Sequence, residues 1–240
     1  MKRNHGKILI PAILPLMAAL VPASVFAAAQ GCDPNNPNTW TASPTWDSTA
    51  SIASTAKIGA GTTIGAGSKV AGYARIGACG TIGDNVNVGY RSKLGDGVTV
   101  NNGVYLAGHT IIGDLTTVGA GTKTGGSTVI GANAVIGTGV QFSSRTRLGD
   151  NSTVANNAVF SGHAEAGNNA QIGTATLGYY VNLGDDNVVG DGTLIKPHAK
   201  SGVNVHMGMS DTIGRYAVIC DNATLPDNMS LPNKYKYGCF

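Results

Sequence analysis

From Ile52 onward a bulky apolar residue recurs at every sixth position, as Ile52, Ile58, Ile64, Val70, Ile76, Ile82, Val88, Leu94, Val100, Leu106, Ile112 and Val118. Thr124 interrupts the series, which resumes at Ile130, Ile136, Phe142, Leu148, Val154, Phe160, Ala166 and Ile172. It then slips by one residue and runs on through Leu177, Leu183, Val189 and Ile195 to Met207, Ile213, Ile219 and Leu225. Small residues such as Thr62, Ala74, Ser92, Thr110, Ala134 and Ala217 stand two places earlier. A period of six matches neither an amphipathic helix nor a lone alternating strand. It predicts a solenoid whose stacked coils align their aliphatic side chains as internal ladders. The slip between Ile172 and Leu177 predicts a local bulge or a tightened corner.

The hexad, an aliphatic residue usually followed by Gly, two variable residues, a small one and another variable one, resembles the hexapeptide-repeat family. That resemblance implies an all-β fold, a single-stranded left-handed parallel β-helix of about ten coils with three hexads per coil. Residues eighteen apart then stack at about 4.8 Å, giving a prism roughly 50 Å long. The left hand is taken from the resemblance, because general crossover rules favour the right.

Residues 1–28 carry Lys2, Arg3 and Lys7, an apolar run from Ile8 and the small-residue stretch Val25 to Ala29, the pattern of a secretory signal peptide. Pro11, Pro15 and Pro22 within the run argue against a retained transmembrane anchor. The expected location is therefore periplasm, cell surface or extracellular space. Without the leader the formal +3 disappears, so charge gives no case for nucleic acid. An oxidising compartment favours disulfides, with Cys32–Cys79 and Cys220–Cys239 the preferred pairing and the other connectivities open. Residues 29–50, rich in Pro, Asn, Ser and Thr, are expected to cap the first coil of a helix spanning 51–225. The tail 226–240 is expected to fold back over the last coils, pinned by Cys239.

In rows of eighteen the residue three after each aliphatic marks a corner. Two corners are Gly and Asn in the main, as tight turns require: Gly61, Cys79, Gly97, Leu115, Asn133, Asn151 and Asn169, and Gly67, Asn85, Gly103, Gly121, Gly139 and Asn157. The third reads Thr55, Tyr73, Arg91, His109, Ser127, Arg145, His163, Tyr180, His198 and Tyr216, with Arg75, Lys93 and Arg147 two residues beyond corner positions. Stacked cations repel, so this edge reads as a ridge that receives carboxylates, phosphates or sulfates from another molecule, or as a subunit contact rich in aromatic and Arg residues.

The leading reading is an exported non-catalytic surface protein without a cofactor. Its ridge (Tyr73, Arg75, Arg91, Lys93, His109, Arg145, Arg147, His163, Tyr180, His198, Tyr216) would bind anionic glycan or a partner protein, its rings stacking on sugar faces. An alternative follows from VYLAGHTIIGD and GSTVIGANAVIGTGV, which look like segments of hexapeptide acyltransferases. That resemblance implies His109, with His163 second, as the base that takes a proton from the accepting hydroxyl or amine, and a homotrimer with sites between subunits. A further alternative is similarity to γ-class carbonic anhydrases, with His163 and His198 as zinc ligands, although Val203 stands where a third histidine is expected. The Thr63, Thr81, Thr99, Thr117 and Thr153 column lacks the paired Thr of ice-binding helices and reads as strand propensity.

Overall fold

The computed structural model describes residues 32–239; the leader expected over residues 1–28 lies outside them. Each hexad supplies one two-residue strand, and three strands close a triangular coil. Strands from Thr45, Thr63 and Thr81 begin a first sheet of ten, those from Ser51, Lys69 and Asn87 a second of eleven, and those from Lys57, Arg75 and Lys93 a third of eleven. Every pairing is parallel and in the expected register, as in Thr99↔Thr117, Tyr105↔Lys123 and Ile111↔Val129. The fold is the left-handed parallel β-helix, about one coil longer than the hexads promise.

The ladder residue points inward and its neighbour outward, so Ile82, Leu106 and Ile213 are buried while Tyr105 and Ile111 are exposed. The small residue two places earlier is small because the triangular section has no more room there. Ala74, Thr62 and Ser68 are fully buried, and the hydroxyls of Thr62 and Ser68 donate to Gly77 O and Gly83 O of the next coil, both at 2.7 Å. Buried polar groups are thereby satisfied. Thr124 does the same inside the ladder. Its hydroxyl lies 2.9 Å from that of Thr110 and accepts from the Ala107 N–H at 3.1 Å, and the apolar core divides there, one cluster ending at Val118 and the next starting at Ile130.

The slip is a tightened corner. Gly173, Thr174 and Ala175 connect two strands with the Ala175 N–H donating to Gly173 O at 2.7 Å, and the register falls from Val154↔Ile172 to Phe160↔Leu177. No residue there needs a positive φ.

Both ends differ from expectation. Thr45–Trp46 already pairs with Thr63–Ile64, so the coil starts before Ser51. Residues 32–44 run beside the Gly61, Cys79 and Gly97 corner instead of over the open coil, with Cys32 bonded to Cys79 and Pro34 against Gly97. Ile52 and Ile58 are consequently only half-buried. At the other end the tail does not fold back. Ser230–Leu231 and Lys236–Tyr237 continue the second and third sheets, and Cys239 is bonded to Cys220. Pro226 and Pro232 permit this because each directly follows a ladder residue. In earlier coils that place donates its N–H to the next coil, as Gly65 does to Ile82 O, and here no further coil follows to receive it. Among the described residues no helix is long and apolar enough to cross a membrane.

Candidate functional site

The third corner joins the second and third sheets. Its bulky residues hold the left-handed conformation: Tyr73 (φ 58°), Arg91 (56°), His109 (63°), Arg145 (62°), His163 (60°), Tyr180 (58°), His198 (63°) and Tyr216 (59°). For a residue with a Cβ this costs about 1 kcal/mol, which Gly or Asn at the other corners largely avoids. One edge thus carries a repeated penalty in exchange for what its side chains present.

The rings fall into two groups. His163, Tyr180, His198 and Tyr216 form one stack, with centroids 4.5, 5.1 and 4.7 Å apart and interplanar angles of 13°, 8° and 8°. Their faces cover one another, which corrects the expectation that these rings stack on sugars. They offer solvent their edges, with imidazole nitrogens and phenol oxygens. Higher up, Tyr73, Tyr90 and His109 meet edge to face at 5.7 and 6.1 Å, and the Arg91 guanidinium sits 5.1 Å from the Tyr90 ring centre. Within one chain the stack keeps the two histidines of the zinc alternative apart, which leaves that alternative, as the resemblance implies it, to ligands that meet across a subunit boundary. Tyr180 lies between His163 and His198, whose two-coil separation of about 9.6 Å far exceeds what a shared ion bonded at about 2 Å would span. His206 is on the first sheet, and no group of three candidate metal ligands exists among the described residues.

Arg75, Lys93 and Arg147 are outward residues of the third sheet, beside the corner. Lys57, Lys69, Lys123 and Lys200, which corner positions alone do not reveal, extend this basic zone over both flanking sheets. Every lysine and arginine from Lys57 to Lys236 is on the third corner or on the sheets it joins, with Lys57↔Arg75↔Lys93 in adjacent strands. Of the described carboxylates only Glu165 is in this zone, 3.5 Å from Arg147 in the one ion pair found among the described residues. Near-neutral overall, the prism is polarised across its section. Arranging all charges, and not only corner residues, in rows of eighteen makes this visible from sequence.

Two grooves follow the edge. One, of about 470 Å³, lies on the third-sheet side along His163, Tyr180, His198, Glu165, Asn182 and Lys200. The other, of about 500 Å³, lies among Gly126, Ser143, Ser144, Arg145, His163 and Tyr179. His109 stands just above the second groove. Two residues on, the strand Ile111–Ile112 begins, and Ile111, 41% exposed, pairs with Val129 between Lys93 and Arg147.

Two family models match parts of the chain: "Bacterial transferase hexapeptide (six repeats)" over residues 127–162 and "Hexapeptide repeat of succinyl-transferase" over 81–107 and 109–141. No curated protein matches the sequence. Among solved structures, a UDP-N-acetylglucosamine acyltransferase is similar at 18% identity and a TM-score of 0.58, over 76% of this chain and 71% of that one. The Arabidopsis UDP-N-acetylglucosamine acyltransferase aligns at 18% identity over 79% and 69%, TM-score 0.49. The acetyltransferase domain of PglB from Neisseria gonorrhoeae aligns at 22% identity over 51% of this chain and 60% of that domain, TM-score 0.44. At these identities the likeness speaks for the fold. The six-residue period, the three parallel sheets it builds and the two family models, which match within residues 81–162, together show a β-helix built of hexapeptide repeats.

Proposed function

We propose that the protein is an acyltransferase of the hexapeptide-repeat type, with His109 as general base and a sugar hydroxyl or amine as acceptor. The observation that carries this reading is the surroundings of His109. Among the described residues no protein group hydrogen-bonds its imidazole, and beside it runs an apolar strip of exposed Ile111 and half-buried Val129, bracketed by Lys93 and Arg147. A base, an apolar track for an acyl chain and cations for a phosphorylated carrier or acceptor are the parts such a reaction needs. His109 would take the acceptor's proton as its oxygen or nitrogen attacks the thioester carbonyl, and the carrier thiolate would leave and be reprotonated. The family matches cover this segment, and the solved relatives that resemble the fold include sugar-nucleotide acyltransferases. A homotrimer, which the resemblance implies, would close the exposed edge against a neighbouring copy. With acetyl coenzyme A and a panel of amino-sugar nucleotides, thiol release is expected from the wild type. His109→Ala should lower it at least about 100-fold, and His163→Ala less. Absence of release with every acceptor in a correctly folded protein contradicts the reading.

A second reading, an exported protein that binds anionic glycan without catalysis, is favoured by the segregation of charge and by the ring stack from His163 to Tyr216, whose edges form a continuous polar row. Export, expected from residues 1–28, sits more easily with it because coenzyme A and acyl carriers are cytosolic. Glycan retention with no thiol release would select it.

A further inference from the structure

The corners differ in their backbone as well as in their side chains. Two residues after each ladder aliphatic the chain carries an N–H that points toward the next coil. On the corner after the first sheet five of these donors are accepted by Oδ1 of an Asp or Asn eighteen or seventeen residues on: Ala66 by Asp84, Asp84 by Asn102, Thr138 by Asn156, Thr174 by Asp191 and Met209 by Asp227. On the corner after the third sheet the same bond joins Ala78 to Asp96, Asp96 to Asp114, Ala132 to Asp150, Asp150 to Asn168, Asn168 to Asp185 and Val203 to Asp221, all at 2.7–2.9 Å. This accounts for where most of the acids are. They cap most of these donors on two corners; among those left without a cap there are Asn102, Ala120, Asn156 and Asp191 on the first and Asp114 and Asp185 on the other, each above a residue that is neither Asp nor Asn.

The third corner lacks these caps. Its equivalent donors, Gly72, Tyr90, Gly108, Gly126, Ser144, Gly162 and Tyr179, have no protein acceptor among the described residues, because the residue below each is Gly, Ser, Tyr or Pro197. The run ends where Asn233 accepts from Arg215. Three of these donors, Gly126, Ser144 and Gly162, line the groove that also holds Ser143 and Arg145. A Cβ built on Gly126 would meet nothing nearer than Gly108 O at 3.5 Å, so there is space for an acceptor where a cap would sit.

We propose that this groove is a carboxylate-binding site, in which acid groups of an external ligand take the place that Asp side chains occupy at the other corners. The ligand class is a polyuronate chain laid along the prism axis. The donors repeat every coil, at about 4.8 Å, and an extended 1,4-linked pyranose chain advances by close to one coil per sugar with its carboxylates on alternate sides, so those facing the groove meet donors at every second coil, about 9.6 Å apart. Same-face side chains of an extended acidic peptide repeat at about 6.7 Å and fall out of step after one coil. Each carboxylate would gain a charge-assisted bond to backbone, with Arg145 and the adjoining basic sheets holding the charge and Ser143 and Ser144 meeting sugar hydroxyls. The site is independent of the acyl-transfer reading, since it involves no proton transfer by His109.

The test fills the backbone sites from within. Ser144→Asn places a neutral Oδ1 below the Gly126 N–H, as Asn102, Asn156 and Asn168 do elsewhere, and Gly126→Asn does the same for Gly108. Ala120→Asn makes the equivalent change on a remote corner. Calorimetry of the mature protein with oligogalacturonate and with its fully methyl-esterified form, alongside thermal melts, gives the result. Expected are binding of the acid but not the ester, a loss of about tenfold or more in affinity for Ser144→Asn and Gly126→Asn with unchanged or higher Tm, and wild-type affinity for Ala120→Asn. Absence of binding by wild type, equal binding of the ester, or wild-type affinity in both folded cap variants overturns the proposal. None of these outcomes alters thiol release, which tests the catalytic reading separately.

Discussion

At His109 two demands oppose each other. Its left-handed φ of 63° suits Asn better than His, and among the described residues its only ring neighbour is Tyr90 at 6.1 Å, edge-on. His109→Asn should therefore raise stability by about 0.5–1 kcal/mol, measured by denaturant unfolding, while removing thiol release. His198 has rings stacked on both faces, so His198→Asn should gain less or lose stability. Asp211 is a different kind of exception, a carboxylate at a fully enclosed small-residue position. Its Oδ1 accepts from Met229 at 2.8 Å while Oδ2 has no partner among the described residues. Burial raises its pKa, against the lowering effect of its backbone hydrogen bonds, and Asp227 adds to the rise. With the folded pKa above the unfolded one, the cost of burying the charge is full at neutral pH and is relieved as pH falls through the raised value. Asn187, at the equivalent position four hexads earlier, shows the remedy, with Oδ1 accepting from Val205 and Nδ2 donating to Gly202 O. Asp211→Asn should raise Tm at pH 7 and flatten the pH dependence of melting between neutrality and the ordinary carboxylate range.

At the scale of one coil, the cost of a change depends on whether it removes a ladder rung or a cap. Phe160 is fully buried and packs on Phe142 at a centroid distance of 4.7 Å, so Phe160→Ala should cost about 3–5 kcal/mol by denaturant unfolding. This much was legible in the hexads, because a ladder residue announces itself by period alone. The ends were less legible. Pro226 and Pro232 read as breakers, and only the coil geometry shows that a last coil tolerates them. The Pro- and Asn-rich residues before Thr45 read as a cap, yet Cys32 and Pro34 hold that segment to a corner. The third corner's composition stood out in rows of eighteen, but its ring faces could not be known to be occupied until Tyr180 was seen between His163 and His198. Nor does a residue list show a missing acceptor. The open N–H groups at Gly126 and Ser144 emerge only by comparison with capped corners.

Across the whole molecule the decisive feature is polarity of charge. Asp and Asn close two corners, leaving the third to Lys, Arg, His and Tyr, so a chain of nearly balanced charge offers one strongly basic edge. Association of any acidic ligand with that edge should weaken steeply with salt as exposed charges are screened, and an approach to the Asp-lined corners should not occur. The most direct test is amide hydrogen–deuterium exchange of the mature protein with and without oligogalacturonate. Protection concentrated at Gly108, Gly126, Ser144 and Gly162, with the capped corners around Ala78 and Ala132 unchanged, is the predicted result. Protection at the Asp-capped corners, or none on the Tyr73 to Tyr216 edge, would contradict the assignment of that edge as the working surface.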